Sequence, residues 1–297
     1  MEDELRRSIS GAARSNSRSG ARRSGRTGTH PTGKSMLGRM ITILLCGAMI
    51  FMVVNAFGTR KKMLERQTVA NLLETALMPV GSTMYIWGGG WDDADTGANG
   101  AARSIGLSPQ WESFAKKQTG EYDHNLYLYQ REKGLDCSGY IGWVVYNIME
   151  HKNNKDGYVI KSTKMAEEYA AKGWGEYTKA GEVTNWRAGD IMSKEGHVWM
   201  VVGQCEDGSV VLLHSTPPGV SLAGTLLEDG TKSQAVQLAE EYMSRFYPEW
   251  YSKYDGYDKD YSYLTDSSRM RWNRDTLADV EGLTGKSAQE VLEYLFQ

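Results

Sequence analysis

The sequence predicts an α+β protein: an antiparallel sheet packed on a cysteine-bearing helix, preceded by a disordered tail and one transmembrane helix. Three observations carry this. After Cys137, the residues Ile141, Val144, Val145, Ile148 and Met149 recur at the spacing of one buried helix face. His197 to Gln204 and Ser209 to Ser215 read as two strands joined through Cys205-Glu206-Asp207-Gly208. Met40 to Thr59 is 20 residues without a charge or a proline, which as a helix spans roughly 30 Å, the bilayer hydrocarbon thickness.

The charge is divided along the chain. Residues 1–66 hold 13 Lys/Arg against 4 Asp/Glu, a balance of +9, and the remainder holds 21 against 33, a balance of −12. An acidic body argues against nucleic acid as its partner. Residues 1–39 are rich in Ser, Gly and Arg with little to bury, the composition of a disordered basic tail. Nine Lys/Arg precede residues 40–59, so the positive-inside rule keeps the N-terminus cytoplasmic and places the body outside the cell membrane on a single-pass signal-anchor. A cleaved signal peptide with a small-residue site near Ala56 is the alternative.

Met63 to Met78 reads as an amphipathic helix with Val69, Leu72, Leu73, Ala76 and Leu77 on one face, ended by Pro79 and Gly81. Tyr85-Ile86-Trp87-Gly88-Gly89-Gly90 marks a tight loop that lets backbone or ligand approach closely. Residues 91–134 form a long polar insert expected to pack near a site or cover it. Its acids Asp92, Asp93 and Asp95 lack the fixed spacing of a calcium loop and read as solvated. His124 reads as a surface histidine.

The cysteine helix starts at Cys137, with Asp136 as N-cap. A thiol there meets unpaired N–H groups and the positive helix end, both of which favour the thiolate. The bland alternative is a small buried hydrophobe. Ser162 to Lys172 reads as a helix capped by Ser162, with Gly173 beyond its end. Arg187-Ala188-Gly189-Asp190 is a turn into strands. If the following hairpin has a four-residue loop, Gln204 pairs with Ser209 and Trp199 with His214. His197 then lies diagonal to His214 at about 7–8 Å, within reach of a ring-to-ring contact. A two-residue turn would separate the rings.

Cys46, Cys137 and Cys205 are the only cysteines, too few for a disulfide framework or a zinc spacing. Cys205 falls at the hairpin turn without a chemical role. Residues 224–297 form an acidic, tyrosine-rich extension (Tyr242, Tyr247, Tyr251, Tyr254, Tyr257, Tyr261, Tyr263) expected to pack on the main sheet, with sugar stacking as the alternative. A closing helix from Ala288 is announced by the Ser287-x-x-Glu290 capping box. The domain layout is thus 1–39 tail, 40–59 membrane segment, 63–223 body with insert 91–134, and 224–297 extension.

Cys137, His197 and His214 supply the parts of an activated thiol: nucleophile, base, and a group that orients the base. With Tyr85-Ile86-Trp87-Gly88-Gly89, Leu135-Asp136-Cys137-Ser138-Gly139, Gly189-Asp190-Ile191, Gly196-His197-Val198 and Leu213-His214-Ser215 in this order, the chain resembles the NlpC-type cell-wall cysteine peptidases, a papain-like family. The resemblance covers about residues 66–222. The gap of about 45 residues between the glycine loop and the cysteine exceeds what is usual there, and the extension has no counterpart.

The resemblance implies a papain-like fold and hydrolysis of an amide in peptidoglycan stem peptides, usually D-γ-glutamyl–diamino acid. Cys137 would attack as thiolate, His197 would carry the proton, and His214 would fix the ring of His197. Tyr85, Trp87, Gly88, Asp136 and Ser138 would place the substrate or its oxyanion, with no metal and no cofactor. An N-acetylmuramoyl-L-alanine amidase or cross-bridge peptidase on the same fold, and a non-catalytic wall-binding scaffold, are the alternatives.

Overall fold

Helix α1 (Val69–Leu77) is the first helix among the residues that this computed structural model describes, 66–150 and 156–297. Thr68 caps it by accepting from the Asn71 backbone N–H at 3.1 Å, and Val69, Leu72, Leu73, Ala76 and Leu77 are buried, the expected face. Residues 63–65 of the expected helix lie outside the described residues, as do the tail 1–39 and the segment 40–59.

Strand β1 (Met84–Tyr85) leads into the glycine loop. The insert then runs through a 3₁₀ turn at Ala101–Arg103, helix α2 (Pro109–Ala115) capped by Ser108, and a second 3₁₀ turn at His124–Tyr127. Strand β2 (Gly134–Leu135) delivers the chain to helix α3 (Cys137–Met149). Next come α4 (Met165–Ala171), β3 (Gly175–Thr178), β4 (Ile191–Lys194), β5 (His197–Gln204), β6 (Val210–Thr216) and β7 (Gly219–Thr225). The chain continues through α5 (Gln234–Phe246), α6 (Pro248–Tyr251), β8 (Asp258–Lys259), α7 (Ser262–Thr265), β9 (Ser268–Trp272) and α8 (Ala288–Leu295). The last helix begins with the expected reciprocal capping box of Ser287 and Glu290.

The nine strands among the described residues form one curled sheet in the order β2-β1-β7-β6-β5-β4-β9-β3, with β8 on β7. The expected architecture, a papain-like fold with an antiparallel sheet behind a transmembrane helix, is corrected on two counts. The sheet is mixed, because β1 runs parallel to β2 and β7 runs parallel to β8. Parallel neighbours need a long crossover, and the insert supplies one between β1 and β2. Strands of two residues carry no periodicity, so the sequence does not announce them. Among the described residues, moreover, no helix is long and apolar enough to cross a membrane.

Both faces of the central strands are covered. Val198, Met200, Val202, Val211, Leu213, Val220 and Leu222 join the main core with α3, while Trp199, Val201, Val210, Leu212 and Ala223 form a second cluster with Leu264. The extension is part of the sheet: β9 lies between β4 and β3, pairing Met270 with Ile191 and with Tyr177. Arg271 of β9 grips the buried Asp190 carboxylate from Nε at 2.9 Å and from Nη2 at 2.6 Å. Burial raises the pKa of Asp190 even so, outweighing the guanidinium.

Two local expectations change. Helix α4 begins after Lys164 without a side-chain cap, two residues later than a cap at Ser162 would place it. In the β5–β6 hairpin Gln204 pairs with Val210, leaving a five-residue loop from Cys205 to Ser209. A bulge between Val201 and Gly203 absorbs the extra residue, so that Met200 faces Leu213. That restores the register whose continuation sets Trp199 opposite His214, the ladder itself ending at Met200.

Candidate active site

The start of α3 is fixed by one buried carboxylate. Asp136 Oδ1 accepts from the Gly139 N–H at 2.7 Å and from Ser138 Oγ at 2.7 Å, and Oδ2 accepts from the Gly88 N–H at 3.2 Å. The cap therefore ties the glycine loop to the helix. Its backbone N–H donates to Gly89 O at 3.0 Å. Burial pushes the Asp136 pKa up to about 6, against these hydrogen bonds, which lower it. Gly88 has φ +81°, the left-handed region that glycine adopts without strain.

Cys137 Sγ lies 4.0 Å from Gly196 O and faces the backbone N–H groups of Val198, Ser138 and Cys137 itself. The β5–β6 ladder stops at Met200, so the first residues of β5 are unpaired on that side. The backbone donors favour the thiolate as the helix start predicts, but burial and the adjacent Asp136 prevail and push the pKa up to about 12. The resting sulfur is a thiol.

His197 Nε2 and His214 Nδ1 are 3.1 Å apart with their rings edge-on, the contact that the strand register predicts. Burial pushes the His197 pKa down to about 3, with Lys194 and Lys259 adding to the effect. His214 is held well below its ordinary value by burial first and then by His197 and Lys259. Both rings are thus neutral near pH 7. When His197 donates from Nε2, its Nδ1 keeps a lone pair and can take a proton. Among the described residues neither ring is hydrogen-bonded to Cys137 Sγ, and His214 Nε2 is buried without a partner.

A cleft of about 470 Å³ opens over the sulfur. Tyr85, Trp87, Gly88, Asp136, Cys137 and Ser138 all line it, whereas His197 and His214 do not. Ser138 Oγ also accepts from Trp91 Nε1 at 2.9 Å, so the polar groups of Asp136 and Ser138 are largely committed to holding the loop. Tyr85 is buried, and its phenol is raised by burial and by its proximity to Cys137. His124 stands edge-on to the Tyr85 ring at 5.7 Å and is half-buried. Cys137 and Cys205 are both free thiols.

Some groups at the site have no sequence signature. Tyr263, from the extension, places its ring 5.5 Å from that of His197 and 6.3 Å from that of His214. Lys194 Nζ sits 4.8 Å from the Tyr263 centroid and donates to Ser262 Oγ at 2.7 Å. The density of tyrosines in the extension hinted at packing, but nothing singled out Tyr263. The insert reaches the site as expected: Tyr122 donates its hydroxyl to Tyr85 O at 2.6 Å. Asp92 accepts from Thr96, and Asp95 pairs with Arg131 at 2.8 Å.

No family model matches the chain, and neither a curated protein nor a solved structure does.

Proposed function

We propose that this chain is a cysteine hydrolase that cuts an amide in peptidoglycan stem peptides, with the D-γ-glutamyl–diamino acid bond as its target. The observation that carries the reading is a free thiol at the start of α3 that lines an open cleft and lies 4.0 Å from Gly196 O, beside the end of β5 that carries the hydrogen-bonded His197–His214 pair. The short segments shared with NlpC-type peptidases support the choice of substrate. The reading requires the body to work outside the cell membrane, where the wall lies.

The thiol gives its proton to Nδ1 of His197 as Sγ attacks the substrate carbonyl, so neutral thiol and imidazole become a bond to carbon and an imidazolium. His214 accepts from Nε2 of that imidazolium and so stabilises the charge and holds the ring. The proton then passes to the leaving amine as the C–N bond breaks, leaving a thioester that water hydrolyses. The raised thiol and depressed imidazole pKa values favour a neutral resting pair over a preformed ion pair. Backbone N–H groups at the start of α3, with Tyr85, are the donors for the developing oxyanion.

The test is digestion of purified peptidoglycan by the full chain, with mass spectrometry of the fragments. New amine termini on the diamino acid support the reading. Wild-type activity in Cys137→Ala would refute the mechanism. Tight wall binding without hydrolysis by the wild type would identify a scaffold instead.

A further inference from the structure

Trp87 and Tyr129 are large aromatic residues that stand at the cleft rim largely out of contact with the core, at 51% and 56% exposure. They are not loose. The Tyr129 N–H donates to Trp87 O at 2.8 Å, and Trp87 Nε1 donates to the Tyr129 hydroxyl at 3.3 Å. Gly88 lies between them, and a Cβ there would come within 3.0 Å of Tyr129 Cδ1, so the glycine lets the ring lie against the loop. The Arg131 guanidinium is 5.4 Å from the Tyr129 centroid.

Tyr129 also adopts φ +60°, a left-handed conformation that strains a bulky side chain. Strain of that kind persists only where the surroundings impose it, and it concentrates at ligand clamps. Two rings held outward, one at the expense of backbone strain, do little for the core. Their faces carry the negative side of the aromatic quadrupole and attract polarised C–H groups. Asp95, Lys161, Ser162 and Thr163 line the same cleft and offer hydrogen-bond partners around such a face.

We infer that Trp87 and Tyr129 form a saccharide subsite that stacks a pyranose ring of the glycan, so that the favoured substrate is a stem peptide still attached to its sugar. This rests on the hydrolase reading for the identity of the glycan, but the stacking site itself does not depend on catalysis. An apolar C–H face meets the rings, while hydroxyl and acetamido groups turn toward the polar wall. Recognition of the sugar selects uncleaved wall over free peptide.

The test is calorimetric titration of the full chain with chitotetraose, a peptide-free oligomer of N-acetylglucosamine. Wild type and Cys137→Ala are expected to bind it alike, and Tyr129→Ala and Trp87→Ala each to weaken binding about tenfold or more. Circular dichroism verifies that each variant is folded, and Tyr129→Phe, which keeps the ring, is expected to retain affinity. No binding by wild type, or equal binding by folded Tyr129→Ala and Trp87→Ala, overturns the inference. Stem-peptide hydrolysis is measured in parallel: sugar binding without hydrolysis upholds the subsite and defeats the hydrolase reading.

Discussion

Replacing Gly139 by alanine tests how the cysteine is positioned. A Cβ at Gly139 would lie 2.0 Å from Gly89 O and 3.0 Å from Gly90 Cα, both backbone atoms. Close carbon–oxygen contacts stop near about 3.3 Å, so α3 and the glycine loop must separate by roughly 1.3 Å. Overpacking of this kind costs about 1–3 kcal/mol, a fall in Tm of about 2–12 °C for a body of this size. The same movement stretches the 3.0 Å bond from Asp136 N–H to Gly89 O and carries Cys137 with it. Misplacement by an ångström costs on the order of 10²-fold in rate. Thermal unfolding followed by circular dichroism, beside initial rates of peptidoglycan digestion, measures both effects. Gly100→Ala is the control, since Gly100 has φ −60° and nothing within 4 Å of its added Cβ; it is expected to be neutral or slightly stabilising. A Gly139→Ala protein with wild-type Tm and rate would refute the close-approach argument.

Three further outcomes follow from the same geometry. Asp190→Ala leaves Arg271 only its bonds to Asn185 at the β4–β9 seam and is expected to cost about 1–3 kcal/mol by urea denaturation; a loss below about 0.5 kcal/mol counts against the seam. The depressed His197 pKa means that the folded state binds fewer protons than the unfolded chain between the ordinary value of 6.5 and about 3. Stability from this group is present above pH 6.5 and lost as pH falls toward 3, so His197→Gln is expected to flatten that acid limb of the Tm–pH curve, and an unchanged limb would contradict it. Tyr263→Ala opens the imidazoles to water and is expected to raise the His197 pKa toward 6.5 in an NMR titration; an unmoved titration would show that Tyr263 does not shield the pair.

The sequence by itself determined the features that need only neighbours along the chain. Asp136 caps a helix that begins at Cys137 because a carboxylate at that position reaches the Gly139 N–H, and the Ser287–Glu290 box works at the same range. The histidine contact was legible because residues of one parity on paired strands share a face, and the bulge at Val201–Gly203 compensated for a loop one residue longer than expected. Tertiary structure decided the rest. The parallel pairings of β1 with β2 and β7 with β8 join two-residue strands too short to show a period. Tyr263 reaches the imidazoles through the placement of the extension around β9. The protonation of Cys137 turned on the same distinction: its helix start favours the thiolate locally, but burial of the sulfur, which no local pattern encodes, makes the charged form the costlier one.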